Sequence, residues 1–340
     1  STGGLVGVNS GGYIFDCEAR GGVSGEDFVG GLVGENTSST DSFGEIIESF
    51  ALGQVNGTYH VGGLLGINDG GIVEYAYASG TVTGHEDVGG LIGINASGWV
   101  FDSFADGSVM GNTNVGGLVG FNNNGRIVDC YASGSVDGLE CVGGLVGLLL
   151  FNKDTAEEDY LSESEREAIL QLSEKIQGEY EGVLEAQYGG DVINCYAIGT
   201  VSGDEYVGGL VGRNEGFVGK SYYDKETTGQ TDTGKGEPRS TDEMKLRSTY
   251  EGWNFIYVWS IDEGKGYPML RWQDGAPQSG FEVEAETRWA SPGDEINLMI
   301  SDAMNKGGQL LTGYHQVTVY SVTEGKNLFQ DEVKFNKRQC

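Results

Sequence analysis

A glycine-rich pentad, Gly-Gly-Leu-Val-Gly or a one-residue variant of it, recurs seven times along the 340-residue chain. Four of the six intervals between copies are 27 residues long, and the copies start at Gly3, Gly30, Gly62, Gly89, Gly116, Gly143 and Gly208. A fixed period of this size is typical of a solenoid, in which each unit packs only on its neighbours. Such a fold offers an extended surface rather than a deep pocket, which favours a structural or binding role over catalysis.

The repeat unit contains three short runs rich in Val, Ile, Tyr and Phe, separated by Gly or Asn. This punctuation predicts strands and turns rather than helices. An Asn follows the pentad at a fixed offset, and later in the unit a Ser, Ala or Cys precedes an aromatic residue. The Asn positions are Asn9, Asn36, Asn68, Asn95, Asn122 and Asn214, and the aromatic positions are Phe50, Tyr77, Phe104, Tyr131, Tyr196 and Tyr222.

A coil of 27 residues with about three strands predicts an all-β fold, a parallel β-helix or β-solenoid. Equivalent residues of successive coils then lie above one another at the strand spacing of roughly 4.8 Å. We therefore expect the recurrent Asn side chains to form an amide ladder at a corner, and the aromatic rings to form a stacked column. The 60 glycines suit tight corners and close packing between coils.

The repeat pattern VGGLVGxNxxGxIxxSYAxGxVxG, represented at 61–84 and 115–138, resembles the GLUG repeat of large prokaryotic surface proteins. That family includes adhesin-like proteins and the non-catalytic part of immunoglobulin A1 metallopeptidases. The resemblance covers residues 1–229 and implies a secreted or surface-exposed β-solenoid. It implies no activity, because GLUG repeats accompany many different partners.

Two intervals depart from the 27-residue period. The 32-residue interval has five extra residues within Thr37 to Glu45, a polar stretch that predicts a longer loop. The 65-residue interval contains an insertion at 148–188, of which residues 153–187 include 11 acidic and three basic residues. A capping box at Ser162-x-x-Glu165 precedes apolar residues at helical spacing, namely Ile169, Leu172, Ile176 and Val183 or Leu184. We predict one acidic amphipathic helix, either a partner-binding or inter-subunit element or a tolerated insertion at a corner.

Residues 230–275 form a Trp-rich segment that resembles the module commonly ending GLUG arrays. An open solenoid end exposes apolar core and unpaired strand edges, so we expect this segment to act as a C-terminal cap. The residues suited to that role are Trp253, Phe255, Trp259, Pro268 and Trp272. A glycan-binding platform of exposed tryptophans is the alternative.

Residues 276–340 alternate apolar and polar positions, with turn signals at 291–294 and 305–308. They resemble the opening strands of an immunoglobulin-like β-sandwich found in tandem on bacterial and archaeal surface proteins. These 65 residues are fewer than the roughly 100 of such a domain. The sandwich is therefore incomplete, unusually small or completed by another chain, and the last alternative predicts a donor-strand filament.

The chain has 51 acidic and 20 basic residues, a net charge of −31 and a pI of about 4.2. Such a field repels nucleic acid and anionic membranes, which excludes nucleic acid as an expected partner. No run of 18 apolar residues occurs, so no direct membrane span is expected in this segment. We expect an extracellular, cell-surface location, with surface glycans or proteins, or copies of the chain in a filament, as partners.

Cysteine and asparagine positions suggest two covalent modifications. Cys130 and Cys195 share a repeat position in successive coils, which places their Cα atoms roughly 5 Å apart and within range of a disulfide. Free, buried thiols are the alternative. Three sequons make Asn36, Asn56 and Asn95 candidate N-glycosylation sites. Asn36 and Asn95 are also ladder positions expected to face inward, whereas Asn56 is expected to be exposed.

No catalytic or cofactor motif occurs in the sequence. The three histidines, His60, His85 and His315, fit no His-Glu-x-x-His spacing, and neither a nucleophile elbow nor a Walker loop is present. We expect no enzyme activity and no cofactor, and the sequence leaves metal binding open. A set of carboxylates could still line one face, as in glycan-cleaving β-helices: Asp102, Asp106, Asp129 and Asp137.

These features predict a non-catalytic structural or adhesive repeat protein of a prokaryotic cell surface or surface filament. An ancillary, non-catalytic region of a surface hydrolase, such as an IgA1-type metallopeptidase, is one alternative. It predicts a zinc-peptidase motif outside this segment. A polysaccharide-active β-helix with its own carboxylate site is the other.

Overall fold

The computed structural model describes residues 1–40, 42–151 and 190–274, and four further strands at 282–285, 298–301, 313–321 and 326–335. The predicted helix of the acidic insertion, and most of the predicted immunoglobulin-like segment, lie outside the described residues. The described residues fall into two compact units, one up to Leu270 and the other from Arg271 onwards.

Residues 2–224 wind through seven coils, and most coils contribute five short strands to five parallel sheets, named A to E in chain order. The sequence predicted about three strands per coil, which is wrong. The boundary between sheets C and D comes in each coil from a single non-glycine residue with a left-handed φ value between +43° and +53°, such as Glu48, Asp102 and Asp129. These residues interrupt the extended backbone without any Gly or Pro to mark the place.

Sheets A, B and C have seven strands each. Sheet A consists of Thr2–Gly3, Asp27–Gly30, Tyr59–Gly62, Glu86–Gly89, Thr113–Gly116, Glu140–Gly143 and Glu205–Gly208. Sheet B consists of Val6–Ser10, Val33–Thr37, Leu65–Asp69, Ile92–Ala96, Val119–Asn123, Val146–Leu150 and Val211–Glu215. Sheet C consists of Tyr13–Phe15, Glu45–Ile47, Ile72–Glu74, Trp99–Phe101, Arg126–Val128, Asp191–Ile193 and Phe217–Gly219.

Sheets D and E have eight and six strands. Sheet D consists of Glu18–Ala19, Phe50–Ala51, Tyr77–Ala78, Phe104–Ala105, Tyr131–Ala132, Tyr196–Ala197, Tyr222–Asp224 and Glu237–Arg239. Sheet E consists of Val23–Ser24, Val55–Asn56, Val82–Thr83, Val109–Met110, Val136–Asp137 and Val201–Ser202. Each strand pairs with its counterpart in the next coil, so that Asn68, Asn95 and Asn122 are direct partners. The predicted parallel β-solenoid with in-register coils is confirmed.

The interior of the coils contains two apolar columns. The larger column combines Leu, Ile, Val and Ala from sheets B, C and D, such as the fully buried Leu65, Val73 and Ala78. The smaller column contains valines from sheets A and E, such as Val61 and Val82. Because both columns run continuously through the coils, each coil depends on its neighbours for burial of its apolar side chains.

The paired glycines of the pentad allow the backbone to come close to itself and to the next coil. A Cβ atom on Gly62 would lie 2.0 Å from the carbonyl oxygen of Leu65. A Cβ atom on Gly63 would lie 2.1 Å from the carbonyl oxygen of Gly90 and 2.8 Å from the Cβ of Ala78. The pentad therefore recurs because no larger side chain fits at these two positions.

Both departures from the period lie at the same corner, between sheets B and C. The five-residue extension separates the strands Val33–Thr37 and Glu45–Ile47, and the long insertion separates Val146–Leu150 and Asp191–Ile193. The coils on either side keep their register across both interruptions. This corner tolerates inserted sequence because the strands that flank it are paired independently of the connection.

The segment after the coils has little regular structure. Helices Lys225–Thr228 and Thr241–Met244, and the 3-10 helix Arg247–Thr249, precede an antiparallel pair formed by Trp259–Ser260 and Met269–Leu270. In the second unit, the 3-10 helix Arg271–Asp274 is followed by two antiparallel pairs, Glu282–Ala285 with Leu298–Ser301 and Gly313–Ser321 with Lys326–Phe335. An immunoglobulin-like sandwich stays a prediction.

Candidate functional site

The recurrent Asn side chains form a continuous amide ladder through five coils. The Nδ2 atom of Asn68 donates to Oδ1 of Asn95 at 3.0 Å, and that of Asn95 donates to Oδ1 of Asn122 at 2.7 Å. The second Nδ2 proton of Asn95 bonds the carbonyl of Gly98 at the corner. The same pattern joins Asn9, Asn36 and Asn68. Both hydrogen-bonding ends of each inner amide are used inside the fold, so the ladder is a structural feature and not a binding surface.

The ladder ends earlier than the sequence predicted. Leu149 takes the ladder position in the sixth coil, between Asn122 and Asn214. Asn214 instead donates to the carbonyl of Gly234, which lies in the segment after the coils. The prediction that Asn214 belongs to the ladder was therefore wrong, because a ladder requires an amide in every coil.

Burial separates the three candidate glycosylation sites. Asn36 and Asn95 are fully buried members of the ladder. Asn56 is exposed on sheet E. Only the amide of Asn56 is therefore accessible in the folded chain, and glycosylation itself stays a prediction.

Cys130 and Cys195 are buried, free thiols in this structure, so the candidate disulfide is not formed in it. Each Sγ donates to a carbonyl two residues earlier, that of Val128 or Ile193, at 3.1 Å. Burial, followed by the contact with Cys195, raises the pKa of the Cys130 thiol well above its usual range. The cysteines replace Ser103 and its equivalents, whose hydroxyl groups make the same bond to the carbonyl two residues earlier.

The predicted aromatic column is present on the outer face of sheet D. Ring centroids are 4.7 Å apart for Phe50 and Tyr77, 5.0 Å for Tyr77 and Phe104, and 4.9 Å for Phe104 and Tyr131. Tyr131 and Tyr196 extend the column with a further 4.9 Å step. Because the rings stack face to face, each ring covers the faces of its neighbours. A sugar ring stacks on an aromatic face, so the column provides little of the surface that a glycan platform needs.

The Trp-rich segment packs beside the coils, against this aromatic column. Trp259 is fully buried, with its ring centroid 5.9 Å from that of Tyr196 and 6.4 Å from that of Tyr131. Trp253 lies 6.0 Å from Tyr222 and donates its indole N–H to the carbonyl of Lys220 at 2.9 Å. These two tryptophans are 0% and 6% exposed, so they do not form the exposed platform that was the alternative.

The open end of the last coil is covered mainly by other residues. Tyr223 occupies the position of the inward-facing Ala197 and is fully buried. The Oδ1 atom of Asp232 accepts from the N–H of Gly209 at 3.0 Å, and the carbonyl of Lys235 accepts from the N–H of Val211 at 3.2 Å. The next coil supplies these acceptors elsewhere in the stack, so this segment replaces the missing coil. The prediction that the tryptophans cover the end was wrong, since they pack on the side.

The structure separates the four candidate carboxylates. Asp102 and Asp129 are 2% and 4% exposed at the corner before sheet D, in successive coils. Burial, and then the charge of Asp129, raise the pKa of Asp102 well above its usual range. Asp106 and Asp137 are exposed, beyond sheet D and on sheet E respectively. The four side chains therefore do not line one accessible face.

The histidine positions hold one arrangement that sequence reasoning missed. His60 lies between Asp27 and Asp87, with Nδ1 2.5 Å from Oδ1 of Asp27 and Nε2 3.3 Å from Oδ2 of Asp87. His60 and Asp87 are 27 residues apart at the same repeat position, so the period alone could have placed them in contact. His85 is exposed, and His315 lies in the strand Gly313–Ser321.

Neither a metal centre nor a membrane-spanning helix is found among the described residues. The described His, Cys, Asp and Glu side chains form no cluster of three or more with the geometry to bind a metal ion. In the same part of the chain, the helices are too short and too polar to cross a bilayer. The arrangement contains buried polar networks and stacked rings, which are features of a scaffold.

Comparison with known proteins supports the repeat assignment. Residues 57–83 and 111–137 match the family model described as the GLUG motif. The chain carries GLUG motifs. Each match begins at a glycine after sheet E and ends in the next strand of sheet E, so that one GLUG motif corresponds to one full coil.

Two curated proteins are similar to parts of the chain. One, from Evansella cellulosilytica, is named a putative Gly-rich membrane protein and is 40% identical over 148 residues, which cover 40% of this chain and 17% of that protein. The other, named Halomucin, from Haloquadratum walsbyi, is 32% identical over 136 residues, which cover 35% of this chain and 2% of that protein. The chain thus matches only a small part of either relative. No solved structure matches the chain.

Proposed function

We propose that this chain is a non-catalytic structural or adhesive segment of a prokaryotic surface protein, located outside the cell. The observation that carries the proposal is the use of the recurring polar groups inside the fold. The Asn amides bond one another and the corner glycines, and the Cys and Ser side chains bond the backbone. Coils built in this way hold a fixed register, and their recurring polar groups are used inside the fold rather than at the surface.

The location rests on the relatives and on the charge. One relative is named a putative Gly-rich membrane protein, which supports a surface-associated parent protein. The net charge of −31 keeps such a segment solvated and separate from anionic surfaces. Contact with glycans, proteins or further copies would then depend on the departures from the repeat, namely 148–188, 230–275 and 276–340.

The first experiment distinguishes a single structural segment from a self-assembling one. The purified 340-residue chain is examined by light scattering after gel filtration and by negative-stain electron microscopy. Single particles of one chain are expected if the segment acts alone, and filaments support self-assembly through the C-terminal region.

Turnover of acidic glycans, screened with and without calcium, is the result that overturns the non-catalytic assignment. Surface labelling of cells that express the parent protein, before and after permeabilisation, tests the location.

Asn56 supplies a separate test of an extracellular history. We propose that Asn56 carries the glycan if the parent protein is N-glycosylated, since its amide is exposed while those of Asn36 and Asn95 are buried. Peptide mass spectrometry on protein from the native host, with Asn56→Gln as the control, measures occupancy. A glycan on Asn95 together with a bare Asn56 contradicts the assignment.

A further inference from the structure

The side chain of His60 joins three successive coils on the outside of sheet A. Its Nδ1 atom lies 2.5 Å from Oδ1 of Asp27 in the coil before it. Its Nε2 atom lies 3.3 Å from Oδ2 of Asp87 in the coil after it. The backbone at His60 has a left-handed φ of +54°, as do the residues at the same repeat position in neighbouring coils. The ring is therefore placed by the repeat itself, between two carboxylates.

The surroundings of the ring are partly closed to water. The side chain of His60 is 24% exposed, that of Asp27 46% and that of Asp87 6%. The Phe28 ring stacks on the imidazole with a centroid distance of 4.7 Å, and the Tyr59 ring lies at 6.2 Å. Asp87 also accepts a hydrogen bond from Nδ2 of Asn114, in the coil beyond, at 2.8 Å. A polar chain thus runs from Asp27 through His60 and Asp87 to Asn114.

The chemistry of imidazole makes this chain depend on a proton. A neutral imidazole has one N–H donor and one nitrogen lone pair, whereas an imidazolium has two N–H donors. Ionised carboxylates only accept hydrogen bonds. The neutral ring can therefore satisfy Asp27 or Asp87, and its other nitrogen then faces a carboxylate oxygen without a proton between them. Only the protonated ring bonds both carboxylates at once.

We propose that His60 is a proton-operated clamp, which ties three adjacent coils together when it is protonated and releases one of them when it is not. Neighbouring carboxylates support this assignment. Hydrogen bonding to Asp87 raises the pKa of His60, burial opposes the rise, and Asp27 adds to it. An unperturbed histidine has a pKa of about 6.5. The stability that the clamp contributes is therefore fully present below about pH 6.5 and is lost as the pH rises through the higher folded-state value.

The first measurement is an NMR titration of the imidazole protons in the full chain. The His60 resonance, assigned by its loss in His60→Gln, is expected to titrate with a midpoint above about 6.5. Asp87→Asn and Asp27→Asn each remove one carboxylate and are expected to lower that midpoint, with the larger decrease for Asp87→Asn. The proposal is overturned if the His60 midpoint lies at or below about 6.5. It is also overturned if neither Asn variant changes that midpoint.

The second measurement is the thermal unfolding midpoint at pH 5.5 and pH 8.5. Many carboxylates contribute to this difference in a chain of such high charge, so the variants are compared with the parent chain. His60→Gln is expected to remove part of the stabilisation seen at the lower pH, whereas His85→Gln, at an exposed position one coil further on, is expected to retain it. Equal behaviour of the two glutamine variants contradicts the clamp. Should His60→Gln fail to fold, the His60 resonance is assigned by elimination, from the signals lost in His85→Gln and His315→Gln. The two Asn variants then still give a result by titration.

Discussion

The indole N–H of Trp259 donates to the carboxylate of Asp129 at 2.9 Å, and the two buried residues are 130 positions apart in the chain. Asp129 lies at a left-handed corner of the fifth coil, and Trp259 lies in the segment after the coils. The bond therefore fixes this segment laterally on the coils, over the aromatic column. It also supplies a donor to a carboxylate that burial would otherwise destabilise.

Replacing Trp259 by Phe is expected to lower the free energy of unfolding by about 2–3 kcal/mol, because a buried carboxylate loses a donor. Trp253→Phe is the matched control, since its indole bonds a neutral carbonyl and is expected to cost less. Denaturant titrations measure both. In the Asp129→Asn background the cost of Trp259→Phe is expected to fall while that of Trp253→Phe stays the same. An unchanged cost in that background shows that the indole–carboxylate bond contributes little.

Loss of an amide from the interior of the ladder is expected to lower the stability of the chain more than loss of the amide at its end. Asn95→Ala removes the partners of Asn68 and Asn122, so two buried amide groups lose a hydrogen bond and the cost is roughly 2–5 kcal/mol. Asn9→Ala breaks one ladder bond, to Asn36, together with the bond to the carbonyl of Gly12. It removes the ladder partner of one amide rather than two, so it is expected to cost about half as much. Thermal unfolding followed by circular dichroism compares them. Equal losses are the outcome that counts against a cooperative ladder.

A buried ion pair on sheet C is expected to give the chain a measurable pH dependence. Asp191 lies 3.3 Å from Nε of Arg126, and burial raises its pKa to about 6 although Arg126 opposes the rise. Folding thus favours the protonated carboxyl of Asp191. The stability that this protonated carboxyl contributes is present at low pH and is lost as the pH rises through about 6.

Lowering the pH from 7 to 5 is therefore expected to stabilise the parent chain relative to Asp191→Asn by about 1 kcal/mol. Asp204→Asn changes the charge by the same amount at an exposed position and serves as the control. Denaturant titrations at the two pH values give the difference. The interpretation fails if Asp191→Asn shows the same pH dependence as the parent chain.

Cys130 and Cys195 are expected to react with thiol reagents only after unfolding, because both are buried and burial raises the pKa of Cys130. Alkylation before and after denaturation, followed by peptide mass spectrometry, measures this. A Cys130–Cys195 linked peptide from protein kept under oxidising conditions would instead support the disulfide that the sequence suggests. Cys130→Ser is expected to change stability by less than about 1 kcal/mol, since serine makes equivalent bonds in other coils.

The repeat period made much of the fold predictable from the sequence. Asn68, Asn95 and Asn122 follow one another at 27 residues, and parallel in-register pairing converts that spacing directly into a ladder. The aromatic column follows from the same argument. The buried positions of Asn36 and Asn95 were also predictable, because a ladder amide must face inward to reach its neighbours.

Other features left no signal in the sequence. The left-handed corners at Glu48 and Asp102 carry ordinary side chains, so the boundary between sheets C and D was missed. The side on which the tryptophans pack depends on a contact between residues 129 and 259, which no local pattern encodes. The His60 cluster differs from these, since aligning His60 with Asp87 by the period would have revealed it.

The segment that replaces a missing coil beneath Gly209 and Val211 has a consequence for how long such a chain can be. Because the contacts of this segment described above lie on the fifth to seventh coils, an earlier coil can be gained or lost without altering that end of the stack. Each coil adds about 4.8 Å along the stack. Removing residues 88–114 would join Asp87 to Val115 in the same repeat register. The length of the stack therefore changes in fixed steps with the number of coils, and gene-level gain or loss of a 27-residue unit would set the distance that it spans.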